Sequence, residues 1–295
     1  MDMQKTGDSR VITRKYYDSL LLEMRHLDSV VPDTSFEVFG EKFTTPIMTA
    51  ALSHLGKTRE DSLVAMAEGA KDAGALMWCG MGAEKELEDI VATGAKTVKI
   101  IKPYADREIV YRKIAHGYNC GALAVGMDID HQFSRMGTPD VVMGSEMAPV
   151  TTAELKDFIS ASRLPFVVKG ILSVTDAVKC ADAGAAAIVI SHHNSIMDYS
   201  VPTLYILPEI VKAVGERVKI FVDCGVRSGM DAFKAMALGA DAVSVGKELM
   251  GPLSEKGAAG VAERIRSLTS ELAGVMVKTC THSITEIDPS LVHRI

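Results

Sequence analysis

Eight short apolar runs, each parted from the next by a helical stretch, leave this chain few ways to fold. They are PIMTA (46–50), ALMWCG (75–80), TVKII (97–101), ALAVGMD (122–128), PFVVKG (165–170), AAIVIS (186–191), VKIFVD (218–223) and DAVSVG (241–246). Runs of this length without regular polar alternation suit strands buried on both faces, and strands alternating with helices build a parallel sheet. The intervening stretches are amphipathic, as in DSLVAMAEGAKDAG and LPEIVKAVGE. The joints AGAL, TGAK, CGAL, AGAA and LGAD repeat a glycine-terminated helix entering a strand. Eight such units predict a (β/α)₈ barrel. No linker or change of composition divides residues 1–295, so one domain is expected, with a helical extension over about 1–45 and a helical tail over about 252–295.

Of the 295 residues, 47% are hydrophobic, ample for a large core. The net charge of −6, with no basic stripe, argues against nucleic acid as a partner. No apolar run approaches the ~20 residues of a membrane helix, and MDMQKTGDSR has no apolar signal core, so the expectation is a cytoplasmic protein off the membrane. Cys79, Cys120, Cys180, Cys224 and Cys280 are odd in number and lack CxxC spacing, which suits reduced thiols better than disulfides or zinc.

Barrel chemistry sits where strands end. Past the seventh and eighth runs stand Asp223, Gly225, Arg227, Gly246 and Lys247. In a barrel these last two loops commonly hold a phosphate, glycines letting backbone N–H groups approach and cations neutralising the charge. The alternative is that both glycines serve tight turns and both cations are solvated. At the other strand ends lie Asp128, Asp130 and His131, then Lys169, then Ser191, His192 and His193. Lys169 interrupts an apolar run, and an ammonium entering the mouth needs an anionic partner unless it snorkels to the rim. His193 is placed to act as a general base oriented by a carboxylate such as Asp128; the adjacent His192 points elsewhere and competes for the role.

The segments VKGIL (168–172), VTDAVKCADAGAAAIVISHH and LPEIVKAVGERVKIFVDCGVRSGMDAFKAMALGADAVSVGKELMGPL resemble the FMN-dependent α-hydroxy acid oxidase/dehydrogenase family, strongly over about 165–285 and more weakly over 12–130. The resemblance implies a barrel holding FMN, in which a histidine takes a proton while a small substrate gives two electrons to the flavin. It assigns His193 as base, Asp128 as its support, Lys169 and Ser191 to the flavin, Asp223, Gly225 and Arg227 to the phosphate loop with Cys224 in place of a glycine, and Gly246 with Lys247 to a second phosphate contact. Tyr16 matches a substrate-contacting tyrosine, and Ala50 and Ala51 fall in a flavin-contacting loop. The family also implies a homo-oligomer, commonly a tetramer.

The departures are as specific. HHNSIMDYS replaces the family's HGGR or HGAR, so the arginine that clamps a substrate carboxylate is missing. Flavin-side polar positions fall on Ile100 and Gly126. Arg135 and Lys102 are the candidate replacements for the lost anion contact. Three functions follow: an FMN-dependent oxidoreductase acting on an α-hydroxy acid or related carbinol; a flavin-free lyase, aldolase or isomerase using the phosphate corner, with a Lys169 Schiff base or a metal held by Asp128, Asp130, His131 and His193; or a non-catalytic ligand-binding barrel.

Overall fold

The computed structural model describes residues 7–58 and 61–295. Each of the eight apolar runs forms a strand: β1 (Ile47–Thr49), β2 (Met77–Cys79), β3 (Thr97–Ile101), β4 (Ala124–Asp128), β5 (Phe166–Ile171), β6 (Ala187–Ile190), β7 (Lys219–Val222) and β8 (Ala242–Val245). All the pairs are parallel, in the order β1-β8-β7-β6-β5-β4-β3-β2. The ends of that sheet meet: Leu52 bridges Cys79, the Gly80 N–H donates to the Leu52 carbonyl at 2.7 Å, and the Trp78 N–H donates to Thr49 Oγ1 at 2.8 Å. The strands thus close into the expected barrel.

Helices α2 (Ser62–Asp72), α3 (Glu84–Ala92), α4 (Arg107–Asn119), α5 (Thr152–Ala161), α6 (Val174–Ala183), α7 (Thr203–Val214) and α8 (Gly229–Ala237) follow the first seven strands, and α9 (Lys247–Lys256) and α10 (Ala258–Lys278) the eighth. The seven crossovers bury the outer strand faces in one continuous core containing Leu63, Ile90, Val110, Phe158, Ile188, Ile210 and Ile265. The inner faces form a second cluster of Met48, Trp78, Val98, Ile100, Val167, Val189 and Phe221. Its lower end is plugged by the hairpin Phe36–Val38/Glu41–Phe43. Phe36 and Trp78 both meet the Phe221 ring edge-on, with centroids 6.2 and 5.7 Å away.

The terminal segments differ from the expected helical extension and tail. Before the barrel, α1 (Ser9–Asp18) is the α-helix among the described residues; Leu20–Leu22 and the plug hairpin are strands. Past Lys278 the tail leaves the helix, and Val292–Arg294 pairs antiparallel with Leu20–Leu22. Three-residue strands carry too little periodicity to separate them from helix.

Phe221 fills the barrel axis and is fully buried. Phe221→Ala is expected to destabilise the protein by about 3–5 kcal/mol through the cavity it leaves, read as a lowered urea midpoint at unchanged slope.

Candidate active site

Strand periodicity continues the inner faces into the mouth. Beyond Ile100 comes Lys102, beyond Ala124 comes Asp128, beyond Val167 comes Lys169, beyond Val189 comes Ser191, and beyond Phe221 comes Asp223, each an even number of residues along its strand line. The apolar lower barrel therefore gives way to a polar upper layer. Lys169 is buried, 3.8 Å from Asp128 Oδ1, 3.5 Å from Asp223 Oδ2, and within 3.4 Å of the Ser191 hydroxyl. Burial alone would lower its proton affinity, but Asp128 and Asp223 hold the ammonium above its usual value. Lys102 donates to Asp128 Oδ2 at 2.8 Å. Burial would raise the Asp128 carboxyl, yet Lys169, His193 and Lys102 keep it well below the ordinary range. The expected anion contact at Lys102 is thus already taken by Asp128.

His193 hangs over this layer. Its Nδ1 lies 2.9 Å from Asp130 Oδ1 and 3.4 Å from Asp128 Oδ1. Asp130, not the expected Asp128, is the nearer orienting carboxylate. Asp130 fits there because strand β5 bulges at Gly170, whose φ is +94°; a Cβ at Gly170 would lie 2.7 Å from the Asp130 carboxyl carbon. Burial and the neighbouring Asp128 charge raise the Asp130 carboxyl. Burial disfavours a charged His193, but Asp128 and Asp130 outweigh it and lift the imidazole to about 9, so the two carboxylates favour its protonated form.

His192 is a different device. Its Nδ1 accepts the Ser195 N–H at 3.0 Å, and its Nε2 lies 2.9 Å from Thr13 Oγ1. It is buried, and burial lowers its proton affinity. It is a clip between the β6 loop and helix α1, which removes it from the competition for base. The inner face of α1 carries Ser9, Thr13 and Tyr17, at i, i+4 and i+8. Ser9 bonds Ser195 and the Met197 carbonyl, and the Tyr17 hydroxyl reaches the Cys224 carbonyl at 3.4 Å. Arg14 binds Asp231 through both terminal nitrogens, at 2.8 and 2.9 Å. Tyr16, the expected substrate contact, instead packs edge-on to Tyr205 and under the Arg294 guanidinium; Tyr17 is the tyrosine that reaches a strand-end loop.

Arg135 lines a cavity of about 420 Å³ with Asp130, Phe133, Ser134, Ile196, Met197 and Asp198. Its Nη2 donates to the Ser195 carbonyl at 2.5 Å. At the phosphate corner, Gly246 begins α9 with no side-chain cap, and Arg227 and Lys247 are exposed with no side-chain partner among the described residues. Asp223 Oδ1 accepts the Cys224 N–H at 2.7 Å. Burial and the Asp223 charge push the Cys224 thiol up to about 11, which disfavours the thiolate. Ala50 donates its N–H to the Val245 carbonyl, and its Cβ sits 3.1 Å from where a Gly246 Cβ would be; Ala51 follows it at the rim.

The profile of the FMN-dependent dehydrogenase family matches residues 4–152 and 133–294. The chain is 28% identical to an L-lactate oxidase of Lactobacillus jensenii, over 90% of this chain and 72% of that one, and 28% identical to glycolate oxidase 3 of Arabidopsis thaliana, over 93% and 84%. Its fold matches a mandelate oxidase variant carrying an FMN monooxide adduct with a TM-score of 0.89 at 28% identity, covering 98% of this chain and 92% of that one. The chain belongs to the FMN-dependent dehydrogenase family. It is therefore an oxidoreductase and its cofactor is FMN. The donor set fits that group at the phosphate end, where the uncapped α9 terminus, Arg227 and Lys247 offer unspent positive charge. At the ring end Lys169 and Ser191 remain, while Ile100 and Gly126 contribute no polar side chain.

Two outcomes test this site. Replacing both Arg227 and Lys247 by Ala should weaken FMN binding by at least about tenfold, measured by flavin fluorescence titration. His193, Asn194 and Ser195 all have positive φ (47°, 55° and 76°), a run of side chains in a region that favours glycine. Asn194→Gly is expected to raise stability by up to about 1 kcal/mol, seen as a higher melting temperature.

Proposed function

We propose that this protein oxidises a small α-hydroxy acid or related carbinol to the carbonyl compound, with His193 taking the proton. The observation that carries this reading is the His193 imidazole, fixed by Asp130 and Asp128 beside the buried Lys169 in the barrel mouth. FMN, when bound, supplies the acceptor for two electrons. The chain's own residues do the rest. Asp130 and Asp128 fix the ring and stabilise the imidazolium that forms when the proton arrives. Lys169 places a permanent positive charge in the layer where negative charge develops on reduction. The relatives are named for lactate, glycolate and mandelate, all carrying a carboxylate beside the carbinol. With Ile196 where the family clamp stands, Arg135 at the cavity wall is the cation we assign to that carboxylate. The flanking Phe133, Ile196 and Met197 favour an apolar substituent on the substrate.

Two further proposals concern setting. Five free cysteines support a reducing, cytoplasmic location, and no described helix is long and apolar enough to cross a membrane. Family resemblance supports a homo-oligomer, and the exposed Met24, Leu27 and Val31 offer an apolar surface for it.

The deciding experiment is anaerobic mixing of FMN-loaded protein with hydroxy acids. His193→Ala should retain FMN but reduce it about 10²- to 10⁴-fold more slowly; unchanged bleaching of the flavin removes His193 from the role. Arg135→Leu should raise KM for carboxylate-bearing substrates by about tenfold with a smaller change in kcat, and an unaltered KM would shift the clamp elsewhere.

A further inference from the structure

The loops after β4 and β6 bring two imidazoles together over strand β5. His131 Nε2 and His193 Nε2 are 3.0 Å apart, and the rings meet edge-on with centroids 4.1 Å apart. Each ring is held from behind. His131 Nδ1 lies 2.8 Å from Asp140 Oδ2, and His193 Nδ1 lies 2.9 Å from Asp130 Oδ1. Asp140 is itself fixed, its Oδ1 accepting the Val141 N–H at 2.9 Å. With carboxylates behind both Nδ1 atoms, both Nε2 atoms point into the gap, which a shared proton or a metal cation can bridge.

We propose that the gap between His131 and His193 is a binding site for a first-row divalent cation of the Zn²⁺ type. Imidazoles backed by carboxylates are the arrangement by which proteins orient such ligands. Zinc–nitrogen bonds of about 2.0–2.1 Å at a tetrahedral ion place two nitrogens roughly 3.3 Å apart, so the rings need to separate by only a few tenths of an ångström. Asp130, His131 and His193 each offer a ligand atom, all within 4.8 Å of one another. Asp130 backs His193 at Nδ1, which orients that ring as a ligand, and its buried Oδ2 has no hydrogen-bond partner. The surrounding charge favours the same occupant: Asp128, Asp130 and Asp223 outnumber Lys102 and Lys169 in this layer. His131 and His193 remain 23% and 30% exposed at their side chains, so an ion can enter from solvent. Nitrogen ligands select against Mg²⁺ and Ca²⁺.

The consequence for turnover rests on His193 being the base proposed above: a bound cation occupies its lone pair, so the site is inhibitory. The test is calorimetric titration of the FMN-loaded protein with Zn²⁺, alongside flavin reduction by substrate. One Zn²⁺ per chain is expected, with Mg²⁺ giving no heat. Asp140→Asn, which keeps Oδ1 for the Val141 N–H but removes the charge behind His131, should weaken Zn²⁺ binding by about 10- to 100-fold, and His131→Ala should abolish it while FMN stays bound. Zn²⁺ should slow flavin reduction in the wild type at the concentrations that fill the calorimetric site. Absence of binding at millimolar Zn²⁺, or binding undiminished in both variants, overturns the proposal and leaves the gap to a shared proton. Because binding is read as heat, that failure is separate from a failure of His193 as base, which the His193→Ala reduction experiment reads.

Discussion

The upper half of the barrel depends on one buried ammonium. Lys169 is surrounded by Asp128, at the end of the neighbouring β4, and Asp223, just past β7 two strands away, and Asp128 is shared in turn with Lys102. None of these groups can lose its partner cheaply, because an uncompensated charge in such a place costs several kcal/mol. Strands β3, β4, β5 and β7 are thereby tied at their ends by charge, as they are tied lower down by Val98, Ala124, Val167 and Phe221. The transition from apolar plug to polar mouth falls within one barrel, and the chemistry occupies the layer where the side chains change character.

The mouth is also shaped from outside the barrel. Helix α1 lays Ser9, Thr13 and Tyr17 against the loops after β6 and β7, and His192 is spent on that contact. The fixed loop allows His193 to be presented from backbone that ordinary side chains avoid. Strain of this kind persists where surrounding contacts over-determine the conformation. Gly225 fits the same picture: at φ +99° its missing Cβ leaves room for Tyr17 and Thr13, each within 2.8 Å of where that atom would be.

All eight barrel strands were legible because a strand buried on both faces must be continuously apolar, and the lysine or aspartate that ends it marks the mouth. Lys169, Ser191 and Asp223 were found in this way. Residues 20–43 were not, since LLL and FEVFGEKF form strands too short for periodicity, and their turn uses Phe39 and Gly40 at positive φ where Asn-Gly is the usual signal. Asp128 and Asp130 lie two apart and carry the same group; their order of approach to His193 is set by the Gly170 bulge on a neighbouring strand. His131 and Asp140 come together through an irregular loop, which no spacing rule anticipates. Tyr17 was recoverable: counting Ser9 and Thr13 as the inward face of a 3.6-residue period selects it over Tyr16.

The α1 contacts join residues 179 to 217 positions apart, as in Thr13 with His192 and Arg14 with Asp231. A ribosome releases α1 well before β6 and β7, yet its seat consists of loops that do not exist until those strands have been made and paired. During synthesis the helix waits without a partner, and an isolated helix of 10 residues is marginal in water. Its docking belongs to the final stage of folding, after the loop-closure entropy of nearly the whole barrel has been met. The order in which the chain is made is thus the reverse of the order in which its active site is sealed.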